Sequence, residues 1–380
     1  MRRCSSVPVA SSCRLPKPGR ASWLLLLVLA WASAMPPVRA LSFNLVCAAD
    51  PTCASLNANA YAGFQAAAAR WSNLLFDPIT VKLQIGFSAL GAGILGQAGT
   101  AQNVVTYGGF RNALGLDRLS ADDNQAYGSL PAGNSFNLLI NRTTNNAGSA
   151  TPYLDVFTND ANGFNNYYLT IATANVKALG GSPGYGSDLS QLDGVIGFSS
   201  SYSWDFDPSN GITPGTIDFV AVATHEIGHT LGFFSGVDEL EASAPAAESV
   251  LYNVSSLDLF RFSALSSSLG VIDWTADTRA KYFSLDGGLT SLAQFSTGVT
   301  YGDGRQASHW KDNLSLGLMD PTLGYGELGV ISALDLRAFD VIGYDTSVRA
   351  PAPLPLLGSA SALLWRRRLR QRQAAGVRLS

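Results

Sequence analysis

The sequence predicts an α+β fold for the body of the chain, residues 41–350. An early stretch repeats apolar residues at helical spacing, and the next stretch alternates apolar and polar residues as a half-buried strand does. A later apolar run, 217–223, leads into a predicted helix that carries two of the chain's three histidines. Because 41–350 shows no internal repeat and no domain boundary, these elements are expected to form one domain.

The first predicted elements are a helix of about twenty residues and a strand. Apolar residues recur every three or four positions, at Leu56, Ala60, Phe64, Ala67, Trp71 and Leu75. Asp77 and Pro78 end this helix, because proline cannot continue it. Residues 79–87 then alternate strictly between apolar and polar side chains, which predicts a strand with one buried face.

The middle of the body is predicted to contain loops and short strands. Residues 88–150 are rich in Gly, Ala, Asn and Ser, which favours loops with short strands such as 136–140. Residues 167–172 fit a helix as well as a strand, and this choice stays open. Residues 193–199 predict a clearer strand, because apolar residues alternate along them.

Two of the three histidines flank a glutamate in the run His225-Glu226-Ile227-Gly228-His229. Residues four apart on a helix share a face, so both imidazoles can bind one metal ion. Zn²⁺ is the expected metal, because three protein ligands leave a fourth position for a water whose pKa falls to about 7. Glu226 is placed to act as general base in peptide-bond hydrolysis. The alternative is a buried polar cluster that binds no metal.

The longer pattern His225-Glu226-x-x-His229-x-x-Gly232 resembles the metzincin zinc proteases, in which a third ligand follows three residues after the glycine. Ser235 occupies that position here, and a serine hydroxyl is a poor zinc ligand. The resemblance therefore implies a third ligand elsewhere in the chain.

The leishmanolysin-like branch of the metzincins carries a long insertion before its third histidine. The resemblance to that branch implies an insertion over 235–308, His309 as the third zinc ligand and Met319 as the methionine of the Met-turn beneath the site. The segments 308–310 and 318–321 resemble the ligand and Met-turn segments of that branch. The alternative is that Met319 only fills the core and that His309 is a surface or core histidine that binds no metal.

The resemblance also implies a zincin architecture. It consists of an N-terminal subdomain with a twisted mixed sheet and two helices, an active-site helix ending at Gly232, and an irregular C-terminal subdomain with the Met-turn and a final helix. Residues 331–343 predict that final helix, with Ser332 as N-cap, Asp335 three residues later and Gly343 as its stop.

Further strands are expected around the cleft and in the insertion. A strand near 193–199 would form the upper rim of the cleft, and its open edge would pair with an extended peptide. Within the insertion, 257–262 and 282–285 are candidate strands, and a turn follows at 286–288.

Acidic residues close to His229 are rival third ligands, as in zinc sites built from two histidines and a glutamate. They are Asp238, Glu239, Glu241 and Glu248, of which Glu248 has a spacing loosely like that of the thermolysin type. That type lacks the glycine turn and the Met-turn, so His309 is preferred. Calcium has weaker support, because 205–211 resembles the start of a calcium loop but lacks the acidic twelfth position, and a plain turn is predicted.

The ends of the chain differ from the body in charge. Residues 1–40 and 351–380 each carry six basic and no acidic residues, and removing these twelve from the chain's 25 leaves 13 basic against 28 acidic residues in 41–350. An acidic body argues against nucleic acid and anionic lipid as partners.

Residues 1–40 are predicted to be a secretory signal, with a basic start, an apolar run over 23–32 and a small-residue cleavage site before Leu41. Residues 32–34 offer another cleavage site. The alternative is a membrane anchor, but the apolar run is shorter than the ~20 residues of a spanning helix.

Residues 351–380 combine a Pro-rich start, a short apolar run and a basic end. They resemble the PEP-CTERM-type sorting signals of Gram-negative bacteria. This resemblance implies export across the inner membrane, removal of the tail by an exosortase-type enzyme, and a final place at the cell surface, in the extracellular matrix or in the medium. The alternative is a basic disordered tail.

Cys47 and Cys53 are the cysteines that remain after the predicted signal. An exported protein is expected to pair them in a small disulfide loop. The alternative is that Cys47 binds the zinc and keeps the enzyme latent.

These patterns predict a secreted or surface-sorted zinc metalloendopeptidase, expected to be a monomer, that acts on a peptide or protein substrate. The alternative is a surface or matrix protein that uses a protease fold for binding alone. Glu226 favours the enzyme, because a binding protein has no need of a general base.

Overall fold

A computed structural model describes residues 41–47, 53, 56–141, 157–159, 164–181, 189–243 and 254–346. The predicted secretory signal, the predicted sorting tail and Glu248 lie outside these residues. Helices and strands follow one another in mixed order along the described part of the chain, which confirms the α+β class.

The secondary structure is dominated by short elements. The strands are β1 Ser42–Cys47, β2 Thr80–Ser88, β3 Gly96–Thr100, β4 Gln102–Thr106, β5 Leu138–Ile140, β6 Phe157–Asn159, β7 Tyr168–Ala172, β8 Gly194–Ser199, β9 Trp204–Asp205, β10 Ile217–Asp218, β11 Arg261–Phe262, β12 Ile272–Trp274, β13 Lys281–Phe283 and β14 Ala293–Phe295. The α-helices are α1 Ala58–Ser72, α2 Tyr107–Asp117, α3 Ala121–Ser129, α4 Phe164–Tyr167, α5 Thr173–Ala178, α6 Phe219–Leu231, α7 Val237–Ser243, α8 Ala264–Leu269 and α9 Ala333–Val341.

A four-stranded mixed sheet has the order β1-β2-β8-β3. The first three strands are parallel, and β3 runs antiparallel to β8 at the edge. Strand β2 buries its alternate residues Val81, Leu83 and Ile85, as the period-two pattern predicts. The sheet therefore has one face against the core and one antiparallel edge.

Helix α1 packs against α6 and the sheet through aromatic side chains. The ring of Phe64 meets the rings of Phe198 and Phe219 edge to face, with centroids 5.1 and 4.9 Å apart. Gly63 permits this approach, because a Cβ there would lie 2.7 Å from the Phe219 ring. Farther along α1, Trp71 donates its indole N–H to the carbonyl oxygen of Thr224 at 2.8 Å. These contacts fix α6 over the sheet.

The described part of the segment between His229 and His309 contributes to the core of the body. Strands β11, β13 and β14 form an antiparallel sheet within it. Strand β12 pairs in parallel with β5, which comes from the first half of the chain. Trp274 of β12 is fully buried. The predicted insertion is therefore joined to the body by backbone pairing and by packing.

The early predictions of secondary structure are confirmed within a few residues. Helix α1 begins after the N-cap Asn57, whose side chain accepts the backbone N–H groups of Asn59 and Ala60. Residues 167–172, which fitted a helix as well as a strand, contain parts of both, since helix α4 ends at Tyr167 and strand β7 begins at Tyr168. The final helix begins with the predicted capping box of Ser332 and Asp335.

Two predictions of secondary structure were wrong. The stretch 88–150 contains the helices α2 and α3, which were predicted as loops, and α3 is started by a capping box of Ser120 and Asp123. The stretch 257–262 was predicted as a strand, but 257–260 is a 3₁₀ turn. A side-chain turn competes with the strand there, because Asp258 accepts the backbone N–H of Ser255 while the Ser255 hydroxyl accepts that of Asp258.

A disulfide joins Cys47, at the end of β1, to Cys53. Because its sulfur is bonded to Cys53, Cys47 is not a free thiolate for zinc in this structure. Within the described ranges, no helix combines the length and the apolar character needed to cross a lipid bilayer.

Candidate metal centre

Helix α6 carries the two histidines and ends directly below them. Asp218 caps its start by accepting the backbone N–H of Ala221 at 2.9 Å. Gly232 ends it with a φ of +123°, a conformation that favours glycine. The N–H of Phe233 returns to the carbonyl oxygen of Gly228 at 3.1 Å. The chain therefore turns sharply after one helical turn beyond the second histidine.

The side chains of the three histidines converge, and each directs its Nε2 atom towards the other two. The Nε2 atoms of His225 and His229 are 3.0 Å apart. The Nε2 atom of His309 is 3.2 Å from each of them. Among the described residues, these three form the group of His, Cys, Asp or Glu side chains close enough to share a metal ion.

The opposite ring nitrogens face backbone carbonyl oxygens. Nδ1 of His225 lies 2.8 Å from the oxygen of Leu318, and Nδ1 of His229 lies 2.7 Å from that of Phe233. Nδ1 of His309 lies 3.4 Å from the oxygen of Gln306. A carbonyl oxygen can only accept, so each Nδ1 carries the proton and each Nε2 presents a lone pair.

Three lone pairs that face one another at 3.0–3.2 Å repel unless a cation lies between them. A point about 2 Å from all three nitrogens exists at this spacing, which is the Zn–N distance in proteins. The donor set therefore fits Zn²⁺, which accepts three imidazoles and keeps a fourth position for another ligand.

Burial keeps all three imidazoles neutral. Burial, followed in size by the neighbouring His225, lowers the pKa of His229 to about 3. Burial also lowers the pKa of His225, and it holds the pKa of His309 well below its ordinary value. Neutral imidazole is the metal-binding form, so the site needs no deprotonation at pH 7.

Glu226 lies beside the histidines and against the edge strand β3. Its side chain is 6 % exposed, and no described residue donates a hydrogen bond to its carboxylate. Gly96 of β3 makes room for it, since a Cβ there would lie 2.8 Å from Oε1 of Glu226. Burial raises the pKa of Glu226 to about 8, so without a nearby cation it holds a proton at pH 7.

Met319 lies beneath the second half of helix α6. It is fully buried, and a Cβ on Gly228 would lie 2.6 Å from its sulfur. Asp335 of α9 organises the segment that carries it. The Asp335 carboxylate accepts hydrogen bonds from the Trp310 indole N–H and from the backbone N–H groups of Leu318, Met319 and Ser332. One buried acid thus ties the methionine segment to the residue that follows His309.

Two of the four rival acidic ligands, Asp238 and Glu241, have other partners. Asp238 accepts hydrogen bonds from residues 307 and 308, and Glu241 accepts three backbone N–H groups between 299 and 301. Glu239 lines the cleft, and Glu248 lies outside the described residues. In the run 205–211, which resembles the start of a calcium loop, Asp205 accepts both the backbone N–H and the hydroxyl of Thr213, which closes a turn.

A cleft of about 1350 Å³ contains the histidines and Glu226. Residues 93–98 line one wall, and residues 315–318 and 320–325 line another. The prediction that a strand near 193–199 forms the rim of the cleft was wrong. That strand, β8, lies inside the sheet between β2 and β3, and β3 is the strand that lines the cleft. Strand β3 could not be predicted from its sequence, Gly-Gln-Ala-Gly-Thr, because this sequence has no β-branched or aromatic residue before Thr100.

Comparison of the chain with protein-family models, with curated proteins and with solved structures gave no match.

Proposed function

We propose that this protein is a zinc-dependent endopeptidase with a metzincin-like fold. The observation that carries the proposal is the convergence of three Nε2 lone pairs beside a buried glutamate on the same helix. The position of Gly232 at the helix end and of Met319 beneath the site supports the likeness to the leishmanolysin-like branch. The described fold supports it as well, because an antiparallel edge strand lines the cleft.

His225, His229 and His309 would hold the zinc through Nε2, while the backbone carbonyl oxygens keep each ring in the tautomer that can bind. When bound, zinc lowers the pKa of a coordinated water to about 7 and polarises a carbonyl group. The protein's own part would be to keep the imidazole rings neutral by burial and to support the ligands from below, where Met319 packs against helix α6 and Asp335 binds the Met319 segment.

Glu226 would act as general base. Its carboxylate takes the proton of the attacking water and later delivers it to the leaving nitrogen. The pKa of Glu226 is about 8 when no cation is bound. A divalent cation close by favours the ionised carboxylate, which is the form that a general base requires.

The substrate would be a peptide in extended conformation. Strand β3 is the edge of the central sheet, and an edge offers backbone groups that pair with an added strand. Tyr325, Leu328 and Val330 are more than half exposed and belong to the cleft lining. They would contact apolar side chains of the substrate.

We further propose export by the signal in 1–40 and sorting by the tail 351–380, with an exosortase-type enzyme as the partner that removes the tail. The two ends, each with six basic and no acidic residues on either side of an acidic body, support this route. The disulfide between Cys47 and Cys53 supports an oxidising compartment.

Cleavage profiling of a peptide library by the purified protein tests this function. We expect zinc-dependent cuts, and we expect Glu226→Gln to lower their rate by about 10²- to 10⁴-fold while zinc stays bound, because only the base is lost. A chelator-treated sample is the metal control. Cleavage that survives in Glu226→Gln would overturn the assigned mechanism, and a folded, zinc-loaded parent that cuts no peptide would favour a binding protein.

A further inference from the structure

The position of the His309 ring is fixed less by a helix and by its own hydrogen bond than the positions of the other two histidine rings. His225 and His229 lie on α6, whereas His309 lies in no helix. The hydrogen bond from its ring is also the longest, with 3.4 Å between Nδ1 and the Gln306 carbonyl oxygen, against 2.8 and 2.7 Å for the rings of His225 and His229. The residues on either side of His309 must therefore place its ring.

The chain after His309 is held by the core. The His309 carbonyl oxygen accepts the N–H of Ser296 at 3.0 Å, and the N–H of Trp310 donates to the Met319 oxygen at 3.0 Å. The buried Trp310 ring stacks on Phe295 with centroids 4.8 Å apart. This side of the histidine belongs to the same packed core as the Met319 segment.

The chain before His309 is held by one carboxylate. Asp238 of α7 accepts the N–H of Ala307 on Oδ1 at 2.6 Å. Its Oδ2 accepts the N–H of Ser308 at 3.1 Å and the Ser308 hydroxyl at 2.5 Å. That hydroxyl in turn accepts the N–H of Ser235 at 2.9 Å. Asp238 thus ties the residues next to His309 to the segment that follows α6.

Glu241 does the same for the far end of the loop, one helical turn along α7. Its carboxylate accepts the N–H groups of Val299, Thr300 and Tyr301 at 2.6–2.7 Å. Gly298 lies against it, because a Cβ there would be 2.7 Å from Oε1 of Glu241. Asp238 and Glu241 therefore make the same number of bonds to one loop, but only Asp238 bonds the residue that precedes His309.

We propose that Asp238 is a positioning residue that fixes His309 for zinc binding. Through Asp238, helix α7 links His309 to the chain that follows His229. This inference rests on the proposed zinc site. Both Asp238 oxygens accept from donors, so an amide in its place would turn its NH₂ group towards a donor and leave one backbone N–H group of the loop without its acceptor. The loop before His309 would then lose its fixed position.

The test compares Asp238→Asn with Glu241→Gln in the full chain. The two changes are matched, because each replaces one oxygen of a carboxylate that accepts three hydrogen bonds from the same loop. Zinc affinity is measured by competition with a chromophoric chelator, and the absorption bands of the Co²⁺-loaded protein report the ligand geometry. We expect Asp238→Asn to bind zinc about ten- to a hundredfold more weakly, with altered Co²⁺ bands. Glu241→Gln should keep both parental values.

Parental zinc affinity and Co²⁺ bands in Asp238→Asn would overturn the proposal, and so would an equal loss in both variants, which would mark a purely structural role. If Asp238→Asn does not fold, Ser308→Ala takes its place: it removes the hydroxyl bridge, and parental zinc affinity in it would equally overturn the proposal. A parent that binds zinc no better than His309→Ala would instead overturn the zinc site itself, and this inference with it.

Discussion

At the scale of the residue, the buried acids of this molecule differ in what surrounds their carboxylates. Asp335 accepts hydrogen bonds from an indole and three backbone N–H groups, and so organises the floor of the site. Asp77 is 1 % exposed, accepts the backbone N–H of Asp345 at 3.1 Å and lies near that residue's charge. Burial and then Asp345 raise the pKa of Asp77 to about 8.

Asp77 therefore makes stability depend on pH. Its pKa is about 8 in the folded state against 3.8 ordinarily, so the folded state binds the extra proton. The stability from this proton is complete below pH 3.8 and is lost as pH rises towards 8. We expect Asp77→Asn to be more stable than the parent at pH 8, with little difference at pH 4, in urea unfolding. A variant that is less stable at pH 8 would contradict this assignment.

At the scale of the element, the edge strand β3 lies against Glu226, the proposed general base. A Cβ on Gly96 would lie 2.8 Å from Oε1 of Glu226 and 3.1 Å from a methyl carbon of Val222. A Cβ on Gly99, in the same strand, would have its nearest neighbour at 3.8 Å, the Val195 carbonyl oxygen. The two glycines therefore differ in whether they touch the site.

We expect Gly96→Ala to displace the Glu226 carboxylate and to lower the rate of peptide cleavage on the order of 100-fold, because small misplacements of reacting groups cost that much. Zinc affinity should stay close to parental, since no ligand moves. Gly99→Ala is the matched control and should keep its activity. Equal activity in the two variants would show that β3 does not set the position of Glu226.

The elements that could be predicted from the sequence are those whose own pattern decides them. Helix α1 and strand β2 have clear periods, and α6 ends at its glycine. Helix α2 begins Tyr-Gly-Gly, so propensity argues against it, and its buried face against the core decides it instead. Strand β3 exists because β8 supplies its partners, which a local pattern does not record.

At the scale of the whole molecule, the candidate site joins distant parts of the chain. The spacing of His225 and His229 on one helix predicts their convergence. His309 lies 80 residues beyond His229, so only the resemblance to a family pointed to it, and the fold brings its Nε2 to 3.2 Å from the others. Asp238 was a rival ligand by proximity in sequence. Its contacts with 307 and 308, about seventy residues away, depend on how the insertion folds back.

X-ray absorption at the zinc edge of the purified protein tests the central claim most directly, because it measures the ligands of the metal itself. The proposed site predicts one zinc per chain with three imidazole nitrogens at about 2.0–2.1 Å and a fourth light-atom ligand. Protein without zinc after incubation with the metal, or a zinc shell with one or two imidazoles, would contradict the site formed by His225, His229 and His309.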